Sequence, residues 1–520
     1  MNPTAERTPW PALWALVIGF FMILVDSTIV SIANPAILKD LDADLTAVIW
    51  VTSAYLLAYA VPLLITGRLG DRFGPKNLYL VGLAVFTLAS LWCGFSGSIE
   101  MLIAARAVQG LGAALMTPQT MAVITRIFPP DRRGAAMGLW GSVAGIAALV
   151  GPILGGVLVD SLGWEWIFFV NVPVGVIGFI LAMRFVPSLP THSHRFDWLG
   201  VVLSAVGMFL LVFGIQEGDT YDWGTIVGPI SVWSLIIAGI VVLVGFVVWQ
   251  RFNRAEPLLP LSLFRDRNFS LSAVGISLVG LAMTSFPLPL AFYFQIARGL
   301  DPTQAALMLA PMAVLAFVMA PIIGKLNDRF DARWFAVPGF LLVAASLALY
   351  ALLLTPDQPF WLLLIPSALL GIGQSGIWAP LSSTATRNLP PAQAGAGAGV
   401  YNMTRQVGSV LGSAAIASLL NARLAAELPG FDASAAQQGA GGSAGALPPA
   451  VADGFSTAMS QSLVLAIAAF VVGAVVVACF AKPKVTVAWG AAAGDAVVGD
   501  AVRSGGPSAE PPQPQERITA

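Results

Sequence analysis

Three ionisable side chains lie deep inside long apolar runs: Asp26 in ILVDSTIVSIANPAI (residues 23–37), Arg106 in LIAARAVQGLGAA (102–114), and Arg405 in the run 396–420. A charge at the centre of a bilayer costs about 2.5–3.5 kcal/mol on insertion scales, so pairing or function must justify each one. An aspartate facing an arginine there can do proton chemistry. The carboxylate stays ionised while the guanidinium is near; when the cavity dries or a substrate draws the arginine away, the carboxyl takes a proton. Its charge then reports which way the cavity faces. Two blander readings of Asp26 stay open: a static brace with Arg106, or polar contacts with the adjoining Ser27 and Thr28. Arg405, ten residues into its run, reads equally as a brace on helix-end carbonyls and as a substrate-facing group.

The elements that must hold these groups are membrane helices. Of 520 residues, 57% are hydrophobic and 10% charged, where a soluble protein carries roughly a quarter charged. Apolar runs of spanning length fall near 12–34, 47–66, 78–97, 101–125, 134–159, 165–186, 199–215, 229–249, 269–297, 303–324, 334–354, 359–383, 396–420 and 460–481. These are spans 1 to 14 of an all-α integral membrane protein. The first run is long enough to cross a bilayer and no convincing cleavage site follows, so it reads as a retained helix and not a signal peptide. With a cytoplasmic N-terminus, the inner segments collect 21 of the 26 basic residues and the outer ones keep Lys39, Arg298 and Arg423. The positive-inside rule then puts both termini in the cytoplasm, at an inner or plasma membrane. Asp26 lies about eight residues from the outer end of span 1 and Arg106 about six residues into span 4 from that side. Their depths differ by about 3 Å, so they can face each other across one cavity.

Several functions are set aside. A net charge of −1 with scattered basic residues offers no nucleic-acid surface. Cys93 and Cys479 sit in apolar runs without metal-ligand spacing, and His192 and His194 stand alone in a polar linker, so no metal site or membrane enzyme is implied. No GxxxxGK[ST] phosphate loop is present. Energy must come from an ion gradient, with no cofactor.

The chain repeats itself. GRLGDRFGPK (67–76) after span 2 and GKLNDRFDAR (324–333) after span 10 share Gly, Leu, Asp-Arg-Phe and two basic positions. TRIFPPDRRGAAMG (125–138) and TRNLPPAQAGAGAG (386–399) share Thr-Arg, Pro-Pro, Gly-Ala and the final Gly. The offsets are 257 and 261 residues, so spans 1–6 and 9–14 are one six-helix unit used twice. The expected domains are an N-terminal bundle over 12–186, an inserted pair, spans 7 and 8, over 199–249, and a C-terminal bundle over 269–482. Residues 424–455 read as a flexible outer loop and 486–520 as a disordered tail. Duplicated helical halves are the architecture of secondary transporters, with substrate near the midplane between them.

Five stretches, LVDSTIVSIANPAI, GRLGDRFGPK, LIAARAVQGLGAA, GIAALVGPILGG and GWEWIFFVNVPVG, resemble the fourteen-helix drug:proton antiporters of the major facilitator superfamily over about 12–482. The resemblance implies that Gly67, Asp71, Arg72 and Gly74 gate the inner face, with Asp71 against helix ends of the other half. The repeat extends that role to Asp328 and Arg329. It also implies that Arg106, Gln109 and Gly110 belong to the motif linked to proton transfer. Gly145, Gly151, Pro152, Gly155 and Gly156 match the signature of exporters; a plain packing face remains the other reading of them. Glu165, Pro75 and Ser31 depart from the family pattern, which weakens inference about substrate.

The expected function is proton-coupled antiport of amphipathic drugs or metabolites by alternating access. A cavity between spans 1, 4, 9 and 12 would offer Gln109, Phe286, Phe292, Tyr293, Trp378 and Arg405, the aromatics being equally readable as packing. Lipid or lipoconjugate export, served by spans 7 and 8 and the long outer loop with an accessory periplasmic or lipoprotein partner, is the alternative. An uptake symporter fits less well. Small amphipathic substrate, H⁺ and membrane lipids are the expected partners.

Overall fold

In hydrocarbon every backbone N–H and C=O must be bonded within its own segment, so an apolar run of spanning length becomes a helix. The computed structural model describes residues 9–481 apart from 44, 130–131, 192–196, 219, 222, 254–256, 301, 390–392 and 429–448. The described residues hold thirteen helices long and apolar enough to cross a membrane. A further pair, Trp50–Ala60 and Leu63–Phe73, is bent by 48° and supplies the fourteenth span.

The expected spans are all present, with informative differences at their ends. Span 2 is a broken helix, Leu45–Ala60 and Leu63–Phe73, with Pro62 at the start of its second piece. Proline lacks the N–H that would continue the ladder, so the break falls where the ring sits. The second piece carries Gly67, Asp71 and Arg72, so these residues stand on a helix and not in a loop; Gly74, at φ +89°, begins the turn into span 3. Asp328 and Arg329 likewise end the helix Ala310–Arg329 of span 10. Span 9 runs as Arg267–Ser285, Pro287–Phe292 and a π-helical turn Tyr293–Ala297. The helix of span 13 continues to Glu427 and the next begins at Pro449, so the expected loop 424–455 is shorter at both ends. Its centre, His192, His194 and the tail 486–520 lie outside the described residues.

The repeat is expressed in the packing. Spans 3 and 4 meet where a Cβ on Gly82 would lie 2.8 Å from the Gly112 carbonyl oxygen; spans 11 and 12 meet where one on Gly339 would lie 2.9 Å from that of Gly373. The two pairs occupy equivalent repeat positions, and each lets two backbones approach closely. Spans 7 and 8, Trp198–Gln216 and Val232–Phe252, are joined through a short antiparallel hairpin pairing Thr225–Val227 with Ile230–Ser231. At their other end Asp197 caps span 7, accepting from Gly200 N at 2.9 Å, and also accepts from Trp249 Nε1 at 2.9 Å and Gln250 Nε2 at 2.7 Å on span 8. Met208 and Val212 of span 7 pack with Leu57 and Ala60 of span 2 and with Val407 and Val410 of span 13. The inserted pair thus touches both repeat units.

Candidate functional site: a buried carboxylate and two helix-capping aspartates

Asp26 is fully buried, and three side chains of the first unit donate to its carboxylate. Its Oδ2 accepts from Arg106 Nη1 at 2.5 Å. Its Oδ1 accepts from Gln109 Nε2 at 2.8 Å and from Asn171 Nδ2 at 3.0 Å. Arg106 Nη1 also donates to Gln109 Oε1 at 2.6 Å, and its Nε donates to the Val51 carbonyl at 3.3 Å. The Tyr55 ring lies 4.1 Å below the guanidinium carbon, a cation–π contact in a site without water competition. Asn171 reaches on to Ser90 Oγ at 3.1 Å, and Ser90 donates to the Phe168 carbonyl at 3.0 Å. Arg106 and Gln109 meet one carboxylate because they are three residues apart on one helix face. Charge-assisted bonds from three side chains offset the loss of hydration that burial imposes on the anion.

The end of the bundle that carries the connections between spans 2 and 3 and spans 10 and 11 holds a second arrangement. Span 13 starts at Ala394 and span 5 at Arg133, and neither N-cap residue, Gln393 or Arg132, makes a side-chain cap. Their second and third backbone N–H groups are instead capped from the opposite unit. Asp71 accepts from Gly395 N at 3.1 Å and Ala396 N at 3.0 Å; Asp328 accepts from Gly134 N at 2.6 Å and Ala135 N at 3.1 Å. Both carboxylates sit where the helix dipole is positive, and all four bonds run between units. Asp71 is also ion-paired with Arg126. A Cβ on Gly67 would lie 3.0 Å from Gly399 Cα, and one on Gly324 2.8 Å from Ala135 Cα, so each capping helix presses on the helix it caps. Arg72 lies over the Phe73 ring and Arg329 is exposed.

The glycine-rich helix of span 5 divides its contacts. A Cβ on Gly151 would crowd Thr28 of span 1, 3.0 Å from its Cβ, whereas Gly145 has 3.5 Å to Ala316 Cβ of span 10 and Gly156 has 3.7 Å to Thr303 Oγ1. Only the first is a tight approach. Pro152 lies within the continuous helix Arg133–Leu162, and Gly155 is buried in it.

The residues expected to line one cavity do not gather. Gln109 belongs to the Asp26 set. Tyr293 is buried, donating to the Thr355 carbonyl at 2.6 Å and accepting from Arg298 Nη1 at 3.0 Å, at the end of the bundle opposite the capping aspartates. Phe292 and Phe286 pack in the apolar core beside it. Trp378 faces Gly141 of the other unit, and Arg405 donates to Tyr59 Oη at 3.4 Å, also across the units. Sequence reasoning assigned no role to Asn171, although a lone amide in the apolar run WIFFVNVPVG was the available signal.

Two repeated six-helix units, with polar bonds crossing between them and a buried carboxylate inside one, define a membrane transporter of the secondary type. The chain belongs to the major facilitator superfamily, which it matches over residues 16–413. It is 53% identical to an uncharacterized MFS-type transporter of Mycobacterium tuberculosis over 88% of this chain and 79% of that one. It is 36% identical to the tetracenomycin C resistance and export protein of Streptomyces glaucescens, over 81% and 78%. Its fold is similar to the crystal structure of the human organic anion transporter MFSD10, with a TM-score of 0.58 at 14% identity, covering 89% of this chain and all of that one.

Proposed function

We propose that this transporter exports amphipathic drugs or metabolites in exchange for protons, by alternating access, with both termini in the cytoplasm. The observation that carries the reading is the buried Asp26 carboxylate, held by Arg106, Gln109 and Asn171 inside one rocking unit. Protonating it removes the anion that three donors share, which frees Arg106 and changes the charge of that unit. In this reading the two aspartate caps are a latch that closes the cytoplasmic face, and the structure is in its outward-facing form. The relative from Streptomyces glaucescens is a resistance and export protein, which supports efflux as the direction of transport.

The test is reconstitution in liposomes carrying an internal pH dye. Adding an exported substrate must move protons the opposite way, in proportion to substrate flux. Substrate movement without proton movement would sink the coupling, and no movement of any amphipathic compound would sink the export reading.

A further inference from the structure

Resting on the export reading, the uneven charge at mid-depth deepens it to a substrate class. Of the 53 charged residues only Asp26, Arg106 and Arg405 fall well within spans. Arg106 is neutralised by Asp26 at 2.5 Å. Arg405 stands eleven residues beyond the start of its helix at Ala394, about 16 Å along the axis and so near the middle of a hydrocarbon layer about 30 Å thick. Among the described residues it has no carboxylate partner. Its one hydrogen bond to them runs from Nη2 to Tyr59 Oη at 3.4 Å, and Tyr59 already donates its own hydrogen to Thr117 Oγ1 at 3.2 Å.

A second observation points the same way. Tyr401, one turn earlier on the same face, is fully buried, lies within electrostatic reach of Arg405, and has a phenolic oxygen without a hydrogen-bond partner. Its repeat counterpart, Trp140 of span 5, is also buried with an unpartnered Nε1–H. A guanidinium held by a single long hydrogen bond and a buried phenol without a partner thus stand one helical turn apart on span 13. Buried donors are ordinarily satisfied, and such a surplus is the complement of an acceptor-rich ligand.

We propose that Arg405, with Tyr401, is the recognition site for amphipathic organic anions, compounds that carry a carboxylate or acidic phenol on an aromatic body. The guanidinium takes the anionic group and the Tyr401 hydroxyl donates a second bond. The Tyr59 ring, stacked on Tyr55 at 6.1 Å, connects this site to the ring beneath Arg106. An anion that pulls Arg405 from Tyr59 therefore disturbs the support of the Asp26 pair.

The probes are fluorescein and rhodamine 6G, which share a xanthene core and differ in charge, with affinity read by fluorescence anisotropy on the full-length protein in detergent. Wild type binds fluorescein at least about tenfold more tightly than rhodamine 6G. Arg405→Gln loses about tenfold to hundredfold of the fluorescein affinity, the range for a hydrogen bond to a charged group, and changes rhodamine 6G by less than about threefold on the same scale. Arg405→Lys retains part of the affinity, and Tyr401→Phe shows a smaller selective loss. If Arg405→Gln does not fold, those two variants carry the comparison. Equal affinity for the dyes, a preference for rhodamine 6G, no fluorescein binding, or a parallel loss of both dyes in the variants overturns the proposal. Proton release during fluorescein transport is measured separately in liposomes. Selective binding without proton release sinks the antiport reading and leaves the anion site standing; proton-coupled export of rhodamine 6G alone does the reverse.

Discussion

Removing the capping carboxylates one at a time measures how much they hold their end of the bundle closed. Each aspartate satisfies two backbone donors of a helix in the other unit. Loss of an N-cap costs about 1 kcal/mol, and loss of negative charge at a partly buried helix start adds up to about 1 kcal/mol. Asp328→Ala then shifts the balance toward a form open at that end by about 1–2 kcal/mol, a factor of about 5 to 30. Asp71→Ala shifts it by a similar amount, because its ion pair with Arg126 lies within its own unit and only its two caps cross to the other. Asn keeps one acceptor but no charge, so each Asp→Asn variant falls between wild type and Ala. The two sites share no residue and resist one movement, so the double variant adds, to about 2–4 kcal/mol. Spin labels at Phe73 and Phe330, equivalent positions that are 52% and 57% exposed, report the separation of the units in a background lacking Cys93 and Cys479. Pulsed dipolar spectroscopy gives one short distance for wild type and a growing long-distance population along the series. An unchanged distribution in Asp71→Ala or in Asp328→Ala refutes trans-capping as the holding force.

Asp26→Asn abolishes substrate-driven proton release in liposomes, and Asn171→Ala shifts the pH dependence of that release while Asn171→Gln restores part of it; normal proton release from Asp26→Asn would reduce Asp26 to a brace. Gly67→Ala and Gly324→Ala force contacts of 2.5 Å on carbonyl oxygens of the opposite unit and destabilise the closed face by about 1–3 kcal/mol, whereas Gly145→Ala, with 3.5 Å available, leaves the same spin-label distances unchanged. For Asp197, partial burial pushes the carboxyl upward, but hydrogen bonds from Trp249, Gly200, Gln250 and Asn253 outweigh it and hold it below the usual carboxylate range. Its contribution to holding spans 7 and 8 together is therefore complete above about pH 4 and fades as pH falls through the depressed value. Acid titration of tryptophan emission shows a transition below that pH in wild type that is absent from Asp197→Asn.

Much of the architecture was legible because hydrocarbon leaves a chain few options. Length and apolarity located the spans, and two short repeats located the symmetry. The break in span 2 carried a visible signal at Pro62 that run length alone overrode. Side-chain direction was harder to read. In a helix that is apolar all round, no polar stripe marks which face meets a neighbour, so depth matching put Asp26 level with Arg106 but said nothing about Asn171 or Tyr55. For the same reason nothing in the sequence separates Tyr293 and Phe292 from Trp378, although Tyr293 is tied to Thr355 and Arg298 within the second unit. The trans-caps involve backbone N–H groups, which every sequence possesses, and only the fold reveals which carboxylate they meet.

Span 7 lies against Leu57 and Ala60 on one unit and Val407 and Val410 on the other. Any relative motion of the two units must slide along this strip or drag the inserted pair with one of them. The strip is aliphatic, and beside lipid tails that are equally apolar, exchanging one such neighbour for another changes the energy little. Under the proposed alternating access the contact would work as a greased bearing: it would guide the direction of travel and keep that flank covered, while the polar bonds elsewhere decided when the travel occurred.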